Sequence, residues 1–576
     1  MTEYLHPSVS SRVVDNSFVY TTATGTTKLF QVIRAGIGPD NVLTRLTSPD
    51  EALFRFGTPN LGNYGQGLYN VTEWLGAGGE AYVLRVLPAD ARYANLLLSV
   101  VTGATGAKTL TVKATSLDAG VSSKAALKNI LSSNDPEIGV PLAFFIPKGR
   151  GAGYNGYGIR LTLRNNLDKT YDFRTYDLTF TGKDSTGADV QIEGPFLVSL
   201  DPEAKNKANE SVYYASVVNK YSRFFDVVDN RKGFETVAGY VVGEDSEDLS
   251  KVDILYGVER KVAKTETVHT GLTIAEASLD LGDVNYLRNG FDGTWSGANT
   301  VEALMTNAYS GLVDPAVLDK LQYEFDVVLD ANYGAPVKNA MSDFAAVQRE
   351  DCIAVLDCGI QADAEGTIEY RQSSISMSNY YTAIFGQSMD VFDSFNGETI
   401  TVTSTYFLAS LIPTVDNSHG IQWPFVGPRR GVISGFDNIN FFPNEAWKES
   451  LYEAKINYIE KDPKKVNFAS QLTSQAQNSA LSQISNVRVL LKIRREVTKM
   501  MGDYRQEFND TTTYDSMSYS VNNYLQTWVA NRALSSATAS VYASDYDKQQ
   551  NLVRVSISVV FNGIIERVAI DININR

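Results

Sequence analysis

The chain has 576 residues, of which 43% are hydrophobic and 20% charged, with 43 glycines and 17 prolines. This composition is typical of a folded protein with several domains. Acidic residues outnumber basic ones by 66 to 51, giving a net charge of −15, which argues against nucleic acid as the main partner. The sequence shows no signal-peptide pattern and no apolar run of the ~20 residues that span a bilayer, so we expect no membrane insertion.

The N-terminal part predicts an arm followed by a compact α/β layer. Residues 12–22 are rich in β-forming residues but precede anything that could form a core, so they predict an extended arm with one strand. A strand from Lys28 leads into LTSPDEALFRFG, where Ser48 is a helix N-cap and Gly57 a helix end. A second helical pattern and the strand AYVLRVLP follow and complete the layer.

The middle of the chain predicts a β domain and then a βαβ unit. Residues 91–200 contain six β-rich stretches separated by turn residues, which indicates a separate β domain. Farther on, EFDVVLDANYG, VKNAMSDFAAVQRE and CIAVLDCG have the order of strand, amphipathic helix and buried strand. The Ser, Asn and Gly residues of 357–406 predict long loops.

The C-terminal part predicts two helices and a set of strands. We expect EAWKESLYEAKINYIE, from Glu445, and NVRVLLKIRREVTKMMGDYR, from Asn486, to be helical. The chain ends with strands, and Val568, Ile570, Ile572 and Ile574 alternate in a strict period of two with Ala569, Asp571, Asn573 and Asn575. This tail could be the last strand of its own domain, paired with VRVSISVVF, or a separate strand beginning near Glu566.

The two cysteines, Cys352 and Cys358, flank an apolar stretch that predicts a buried strand. Two cysteines exclude a disulfide framework, and the three histidines offer few further metal ligands. We therefore expect buried, reduced thiols, no metal site and a cytoplasmic folding compartment.

Two glycine-rich segments resemble nucleotide-binding loops superficially. Gly151, Gly153 and Gly156 match the spacing of a dinucleotide-binding loop, but the strand GIRLTL follows them where a helix is required. The segment TGATGAKT at 102–109 lacks two glycines of a phosphate-binding loop. We interpret both as turns between strands and expect no cofactor.

Evidence for catalysis is weak. His419, near Asp416, is the one histidine in a site-like setting, and no nucleophile elbow accompanies it. We interpret this segment mainly as a polar loop. Chance pairs of carboxylates are numerous in so acidic a chain and give no positive signal.

A basic helical stretch stands out in this acidic protein. It contains Arg488, Lys492, Arg494 and Arg495. These side chains are either a solvated helix face or a patch that docks onto an acidic surface of a partner or of another copy.

Several stretches together resemble the contractile tail sheath family. Residues 28–88 match its order of a Gly-Pro turn, a short helix and a strand, through AGIGPDN, LTSPDEALFRFG and GGEAYVLRV. GRGAGYNGYGIRLTL, LRNGFDGT, REDCIAVLDCG, NFFPNEAWKESL and NVRVLLKIRREVTKM resemble later family segments. The chain departs from the family at Tyr154, where Trp is usual, and at QWPFVGP, residues 422–428.

The resemblance implies a multidomain α/β and α+β fold, with a mixed-sheet sheath core, an inserted β-rich domain and terminal β-strand arms. The expected divisions are an N-terminal linker arm (1–22), the first part of the core (23–90), an outward-facing β domain (91–200), a mixed α/β region (201–350), continued core (351–470), a C-terminal domain facing the tube (471–565) and a C-terminal linker strand (566–576).

The implied function is structural and not enzymatic. Copies would stack as rings, six-fold in symmetry, around a tail tube protein, with baseplate and tail terminator proteins as further partners, in a virion tail assembled in the host cytoplasm. Strands donated to neighbouring subunits would come from Arg12, Val14, Phe18 and Tyr20 in the arm, and from Val568, Ile570, Ile572 and Ile574 in the tail.

Two further classes stay open at this point. The sheath of a secretion or toxin-delivery machine would share all of these features. A β-rich adhesin or glycan-binding module is suggested by the 31 tyrosines and the strands of 91–200, and a glycoside hydrolase with a carboxylate pair is a more remote alternative.

Overall fold

The computed structural model describes residues 26–102, 110–117, 121–132, 140–163, 175–183, 187–199, 204–230, 284–463 and 465–564. The strands in chain order are β1 (Lys28–Ile33), β2 (Leu43–Leu46), β3 (Glu80–Arg85), β4 (Leu96–Thr102), β5 (Leu110–Thr115), β6 (Val140–Pro147), β7 (Gly158–Leu163), β8 (Tyr176–Lys183), β9 (Asp189–Val198), β10 (Phe225–Asp229), β11 (Asn285–Tyr286), β12 (Val327–Leu329), β13 (Ile353–Asp357), β14 (Thr382–Phe385), β15 (Ser388–Asp393), β16 (Glu398–Thr403), β17 (Val432–Ile433), β18 (Asn438–Ile439), β19 (Ile456–Asn457), β20 (Ile459–Asp462), β21 (Lys465–Phe468), β22 (Leu534–Tyr542) and β23 (Arg554–Phe561).

The α-helices in chain order are α1 (Pro49–Phe56), α2 (Leu61–Tyr64), α3 (Gly67–Gly76), α4 (Lys124–Leu131), α5 (Tyr214–Tyr221), α6 (Val301–Tyr309), α7 (Ala335–Asp343), α8 (Ala364–Ser373), α9 (Thr405–His419), α10 (Glu445–Glu453), α11 (Ile484–Gly502), α12 (Thr511–Ala530) and α13 (Asp545–Gln549). A π-helical turn, Phe344–Arg349, continues α7. Among the described residues, no helix is long and apolar enough to cross a membrane.

The core is a seven-stranded mixed sheet in the order β19-β14-β13-β12-β1-β3-β2. All neighbours pair in parallel except β2, which runs antiparallel to β3. Strands β3 and β13 are buried along their whole length, as expected when helices cover both faces of a parallel sheet. The mixed-sheet core expected from the sequence is thus confirmed.

The first helix has the capping residues that the sequence predicts. The Ser48 side chain accepts a hydrogen bond from the Glu51 amide, and Pro49 occupies the first turn. Gly57 ends the helix with φ of 82°, a conformation that favours glycine. Ala52 and Phe56 of α1 are buried in the core, so the caps fix a helix whose inner face packs on the sheet.

The predicted βαβ unit is also confirmed. Strands β12 and β13 are parallel neighbours, with Val327 opposite Ile353, and α7 with its π-helical turn connects them. Cys352 and Cys358 flank β13 and are buried without a disulfide. Burial raises the pKa of the Cys358 thiol to about 12. The buried location of both cysteines matches the expectation.

A buried ionic cluster lies at the carboxyl end of these two strands. Lys338 on α7 donates to Asp330 and, at 2.6 Å, to Asp357, and all three side chains are fully buried. Burial, and then the charge of Asp357, raise the pKa of Asp330 to about 6. The Asp357 carboxylate also accepts hydrogen bonds from Thr403 and the Asn332 amide, so the cluster joins the sheet to the start of α9.

The inserted β region is a pair of four-stranded sheets with one shared core. Their orders are β10-β6-β4-β5 and β11-β7-β8-β9. Phe180 stacks on Phe225 with ring centroids 4.1 Å apart. Because β10 and β11 lie beyond residue 200, this sandwich draws on more of the chain than 91–200.

One arginine joins the sandwich to the core sheet. Arg85, at the end of β3, is fully buried and donates to the carbonyls of Ala35, Gly38 and Arg150 at 2.8–2.9 Å. Gly149 passes so close that a Cβ there would lie 1.8 Å from the Gly38 carbonyl oxygen. This contact requires glycine and holds the two units together.

Two secondary-structure predictions are wrong. Residues 357–406 form α8 and strands β14–β16 rather than long loops, because their polar side chains alternate with buried ones, as in Ile400 and Val402. Helix α10 ends at Glu453, since Lys455 has φ of 58° and residues 456–462 become strands β19 and β20. Helix α10 is therefore about half the length of the predicted helix, which extended from residue 445 to residue 460.

The C-terminal part forms a separate hydrophobic cluster. Helices α11 and α12 pack against the antiparallel pair β22–β23. Val521, Leu525 and Trp528 of α12 are buried there with Val489 and Ile493 of α11. Helix α11 also contributes Ile484 and Val487 to the core, so it links the two clusters.

Candidate assembly surface

The smallest sheet that the described residues form has two strands and one covered face. Strands β22 and β23 pair from Leu534 opposite Phe561 to Tyr542 opposite Arg554. Side chains of β23 alternate between exposed and half-buried positions, with Ile557, Val559 and Phe561 packed against the α12 cluster. A two-stranded sheet is marginal by itself, and its apolar face here is incompletely covered.

The outer edge of β22 is occupied by side chains from α12. Asn522 accepts a hydrogen bond from the Ala539 amide and donates to the Ala539 carbonyl, both at 2.8 Å. Gln526 donates to the Ala537 carbonyl at 3.4 Å. A strand that paired with β22 would make these same hydrogen bonds.

The outer edge of β23 differs from that of β22. Within the described residues, β23 pairs with β22 and with no third strand. The chain continues through Asn562, whose amide donates to the Ala533 carbonyl. Neither Asn562 nor Gly563 has a positive φ, which a tight two-residue hairpin turn at Asn-Gly requires.

The predicted donated strands cannot be located here. Arg12, Val14, Phe18 and Tyr20, and likewise Val568, Ile570, Ile572 and Ile574, lie outside the described residues. They stay predictions. Ile564, the last described residue, follows β23 by three residues.

The basic residues of α11 are mostly engaged inside the subunit. Arg488 is buried and bonds both carboxylate oxygens of Asp416. Arg495 is buried and bonds Asp326 at 2.6 Å. Lys492 pairs with Glu496 on the same helix at 3.3 Å, and Arg494, half exposed, pairs with Glu350 at 2.8 Å. The predicted docking patch therefore narrows to Lys492 and Arg494.

These ion pairs attach the C-terminal part to the core sheet. Burial opposes ionisation of Asp326, but the charges of Arg495 and Lys492 outweigh it and lower its pKa to about 2. Glu324 behaves similarly: burial raises its pKa, and hydrogen bonding and charge from Lys499 and Lys28 lower it to about 2. The attachment is thus strongly ionic.

The catalytic alternative at His419 finds no support in the geometry. The segment is the end of helix α9 and not a polar loop, because Phe407, Leu408 and Ile412 bury its inner face. Asp416 is bonded to Arg488 and Thr27, whereas the His419 Nδ1 atom lies 2.7 Å from the Ser418 hydroxyl. The pair is therefore not arranged as a base and its orienting carboxylate.

The glycine-rich segment is a turn, as predicted. A short 3₁₀ turn, Ala152–Tyr154, leads into strand β7 rather than a helix. Residues 103–109 of the other loop lie outside the described residues. Among the described residues, no cluster of three potential metal ligands occurs.

Sequence reasoning missed Asn522 altogether. An asparagine in the middle of a helix carries no signal in the pattern, and its role depends on the strand that lies beside it in the fold. The pairing of Asp326 with Arg495 was missed for the same reason, since 169 residues separate them.

Comparison with solved structures places the chain in a known fold. A crystallised sheath tail protein from Listeria innocua matches 93% of this chain and 95% of its own, with a TM-score of 0.51 at 10% identity. One from Desulfitobacterium hafniense matches 97% and 100%, with a TM-score of 0.46 at 10% identity. The contracted sheath of an extracellular contractile injection system matches 46% and 74%, with a TM-score of 0.39 at 13% identity.

No protein-family model matches the sequence, and no curated protein matches it. At 10% identity the Listeria match shows the fold alone. It extends over nearly the whole chain, so the resemblance of the sequence to sheath proteins is confirmed as a shared fold, that of the sheath tail proteins.

Proposed function

We propose that this chain is the structural subunit of a contractile tail sheath and not an enzyme. Its copies polymerise as stacked six-fold rings around a tail tube, and contraction drives the tube through the host envelope. The observation that carries this proposal is the sheath tail fold, in which the described residues include the two-stranded sheet β22–β23.

Strand donation is the joining mechanism that suits this sheet. An extended segment that adds to a free edge gains backbone hydrogen bonds, and its alternating side chains set the register. Val568, Ile570, Ile572 and Ile574 supply one apolar face that matches the half-buried inner face of β23. A link of this kind can persist while the domains that it joins rotate.

Contraction without nucleotide hydrolysis requires a difference in interfaces. The extended polymer must have less favourable contacts than the contracted one. Burying a further ~100 Å² of apolar surface per subunit contributes about 2.5 kcal/mol by area, as an upper estimate. Summed over many copies, small differences at each interface are sufficient.

The same proposal also gives partners and orientations for the other surfaces of the subunit. Lys492 and Arg494 contact an acidic surface of the tube or of a neighbour, and the β sandwich faces outward. The terminal segments 1–22 and 566–576 are linkers, and 471–565 faces the tube. Because the chain is acidic overall, with a net charge of −15, assembly should depend on salt.

Electron microscopy of the concentrated, purified chain tests the function. We expect rings or tubes, formed by the chain alone or after adding a tube protein. A strictly monomeric protein under all these conditions, by ultracentrifugation, contradicts the proposal. A monomer that binds sugars on a glycan array would favour the adhesin class instead.

Two tail variants test strand donation. Removal of residues 566–576, or Ile572→Pro, which deletes a ladder donor, should give folded subunits that no longer polymerise. Ile572→Val is the matched control because it keeps the donor and the β-branched side chain. Normal tubes from both tail variants would refute donation by this tail.

A further inference from the structure

A wide cleft lies between the core and the C-terminal cluster. Its volume is about 1840 Å³, and it is lined by the loop 422–430, by helix α10 and by the turn between α12 and β22. Sites for small molecules have volumes of about 300–1,000 Å³. The cleft therefore has room for a segment of polypeptide.

Arginine side chains surround one tryptophan of this cleft. The Arg430 guanidinium lies 4.7 Å from the centre of the Trp423 ring, and that of Arg532 lies 5.9 Å from it. Both are distances at which a cation is attracted to an aromatic face. Arg429 is exposed beside Arg430. Burial, and then the charge of Arg429, lower the pKa of Arg430, so the cluster concentrates positive charge that repels itself.

The backbone that carries these arginines is held in place. The Gly431 amide donates to the Gly427 carbonyl at 2.8 Å and closes the loop that contains the first two. A Cβ at Gly431 would lie 2.6 Å from the Val426 Cα atom, so this closure requires glycine. Arg532 has φ of 65°, and its carbonyl accepts a hydrogen bond from the Asn562 side chain at 2.7 Å. The fold therefore fixes where the arginines project.

The arginines have no acidic partner inside the subunit. Among the described residues, no carboxylate forms an ion pair with Arg429, Arg430 or Arg532. The four basic residues of α11 described above, in contrast, each pair with a carboxylate. In a chain with 66 acidic and 51 basic residues, three unneutralised arginines at one cleft indicate a binding site for an external anion.

A buried amide and three aromatic rings line the same cleft. Gln471 is 5% exposed, and its Oε1 atom accepts a hydrogen bond from the Ser485 amide at 3.4 Å. Its Nε2 atom has no hydrogen-bond partner in the part of the chain that the structure describes, and a buried donor left unpaired is costly. The rings of Trp423, Tyr452 and Tyr458 supply apolar surface. A ligand that suits these groups has both acceptor and apolar groups.

The opposite wall of the cleft restricts the ligand further. Helix α10 presents Glu449 and Glu453 there, and both are exposed. A ligand that is negative along its whole length, such as nucleic acid, would be repelled by them. The charges favour a polypeptide whose acidic side chains lie on the side of Trp423.

We propose that this cleft binds an acidic segment of a partner protein, whose carboxylates pair with Arg430 and Arg532 beside Trp423. The loop includes QWPFVGP, residues 422–428, where the sequence departs from the sheath pattern. The partner is therefore specific to this chain and not one that all sheaths share. This site is additional to the proposed function, because its binding is measurable on the subunit whether or not tubes form.

Fluorescence anisotropy of a short, fluorescein-labelled peptide of Glu and Leu residues, added to the full-length subunit, tests the site. We expect saturable binding that weakens with salt, and none of the counterpart with Lys in place of Glu. Arg430→Gln combined with Arg532→Gln should weaken binding by about tenfold or more without changing thermal unfolding. The exposed Arg429→Gln is a milder second variant and should weaken it about two- to fivefold. Arg505→Gln combined with Lys548→Gln, at exposed positions outside the cleft, is the matched control and should bind as wild type.

Each other outcome overturns the proposal. Equal binding by the wild type and both cleft variants, or equal weakening in the control, means that net charge alone attracts the peptide. Displacement by inorganic phosphate, beyond that by sodium chloride of the same ionic strength, means a site for small anions. Displacement by a peptide of residues 565–576 means that the chain's own tail is the occupant. Loss of tubes in the double cleft variant means that the cleft joins copies of this chain.

Discussion

The core sheet and the C-terminal sheet differ in how their faces and edges are covered. The seven-stranded core sheet is covered on both faces, and its charged groups are paired inside the subunit, as in the Lys338 cluster. Among the described residues, the β22–β23 sheet has two strands and one covered face, and Asn522 bonds the outer edge of β22. The first region is complete in a single chain, whereas we propose that the second is completed by a strand of another copy.

The largest effect on stability should come from breaking the buried cluster of the core. Lys338→Met leaves Asp330 and Asp357 facing each other without a cation, which costs about 3–5 kcal/mol for a buried pair. Chemical denaturation should show this loss in the main transition. Arg55→Met, which removes the partly exposed i,i+4 pair with Glu51, is the control and should cost about 0–1 kcal/mol. Equal losses of unfolding free energy in both variants would contradict the larger contribution expected of the buried cluster.

A smaller and local effect is expected in the C-terminal cluster. Leu525 is fully buried between α12 and the sheet, and Leu525→Ala should cost near the lower end of the range of about 2–5 kcal/mol. Because this cluster is separate from the core, hydrogen exchange should rise in α12 and β22–β23 and not in β1 or β3. Val560→Ala, at a half-exposed position on the outer face, is the control. Uniform destabilisation would mean that the two regions form one cooperative unit.

Acid should loosen the attachment between the two regions. The pKa of Asp326 in the folded chain is about 2, below the value of about 4 for an exposed aspartate. The stabilisation is therefore fully present above about pH 4 and is lost as the pH falls through about 2. Protection factors in α11, which correct for the change of intrinsic exchange with pH, should fall on acidification from pH 4 toward 2, and Asp326→Asn should remove this dependence and show low protection already at pH 7. Identical pH profiles in both proteins would contradict the assignment.

The sequence correctly predicted those elements that depend on interactions between residues close in the chain. Ser48, Pro49 and Gly57 defined α1 correctly because capping acts within a few residues. The apolar run between Cys352 and Cys358 identified β13, since a strand buried on both faces is apolar throughout. The resemblance to sheath proteins also rested on such local segments, and the fold agrees with it.

The features that could not be predicted from the sequence depend on contacts between residues far apart in the chain. Strands β15 and β16 carry many polar residues and are stabilised by pairing with each other and, for β15, with β18, so composition indicated loops. Arg488 and Arg495 resembled a surface patch, but Asp416 and Asp326 approach them from elsewhere in the chain. Asn522 acquires its role only when β22 lies against α12.

A cryo-electron microscopy map of the polymer tests the central claim most directly. The account predicts that the core sheet is unchanged, that an added strand from a neighbouring copy lies along β23 at Val555–Val559, and that Asn522 still bonds Ala539. A polymer in which β22–β23 stays two-stranded, or in which the subunits join through the core sheet, would contradict it.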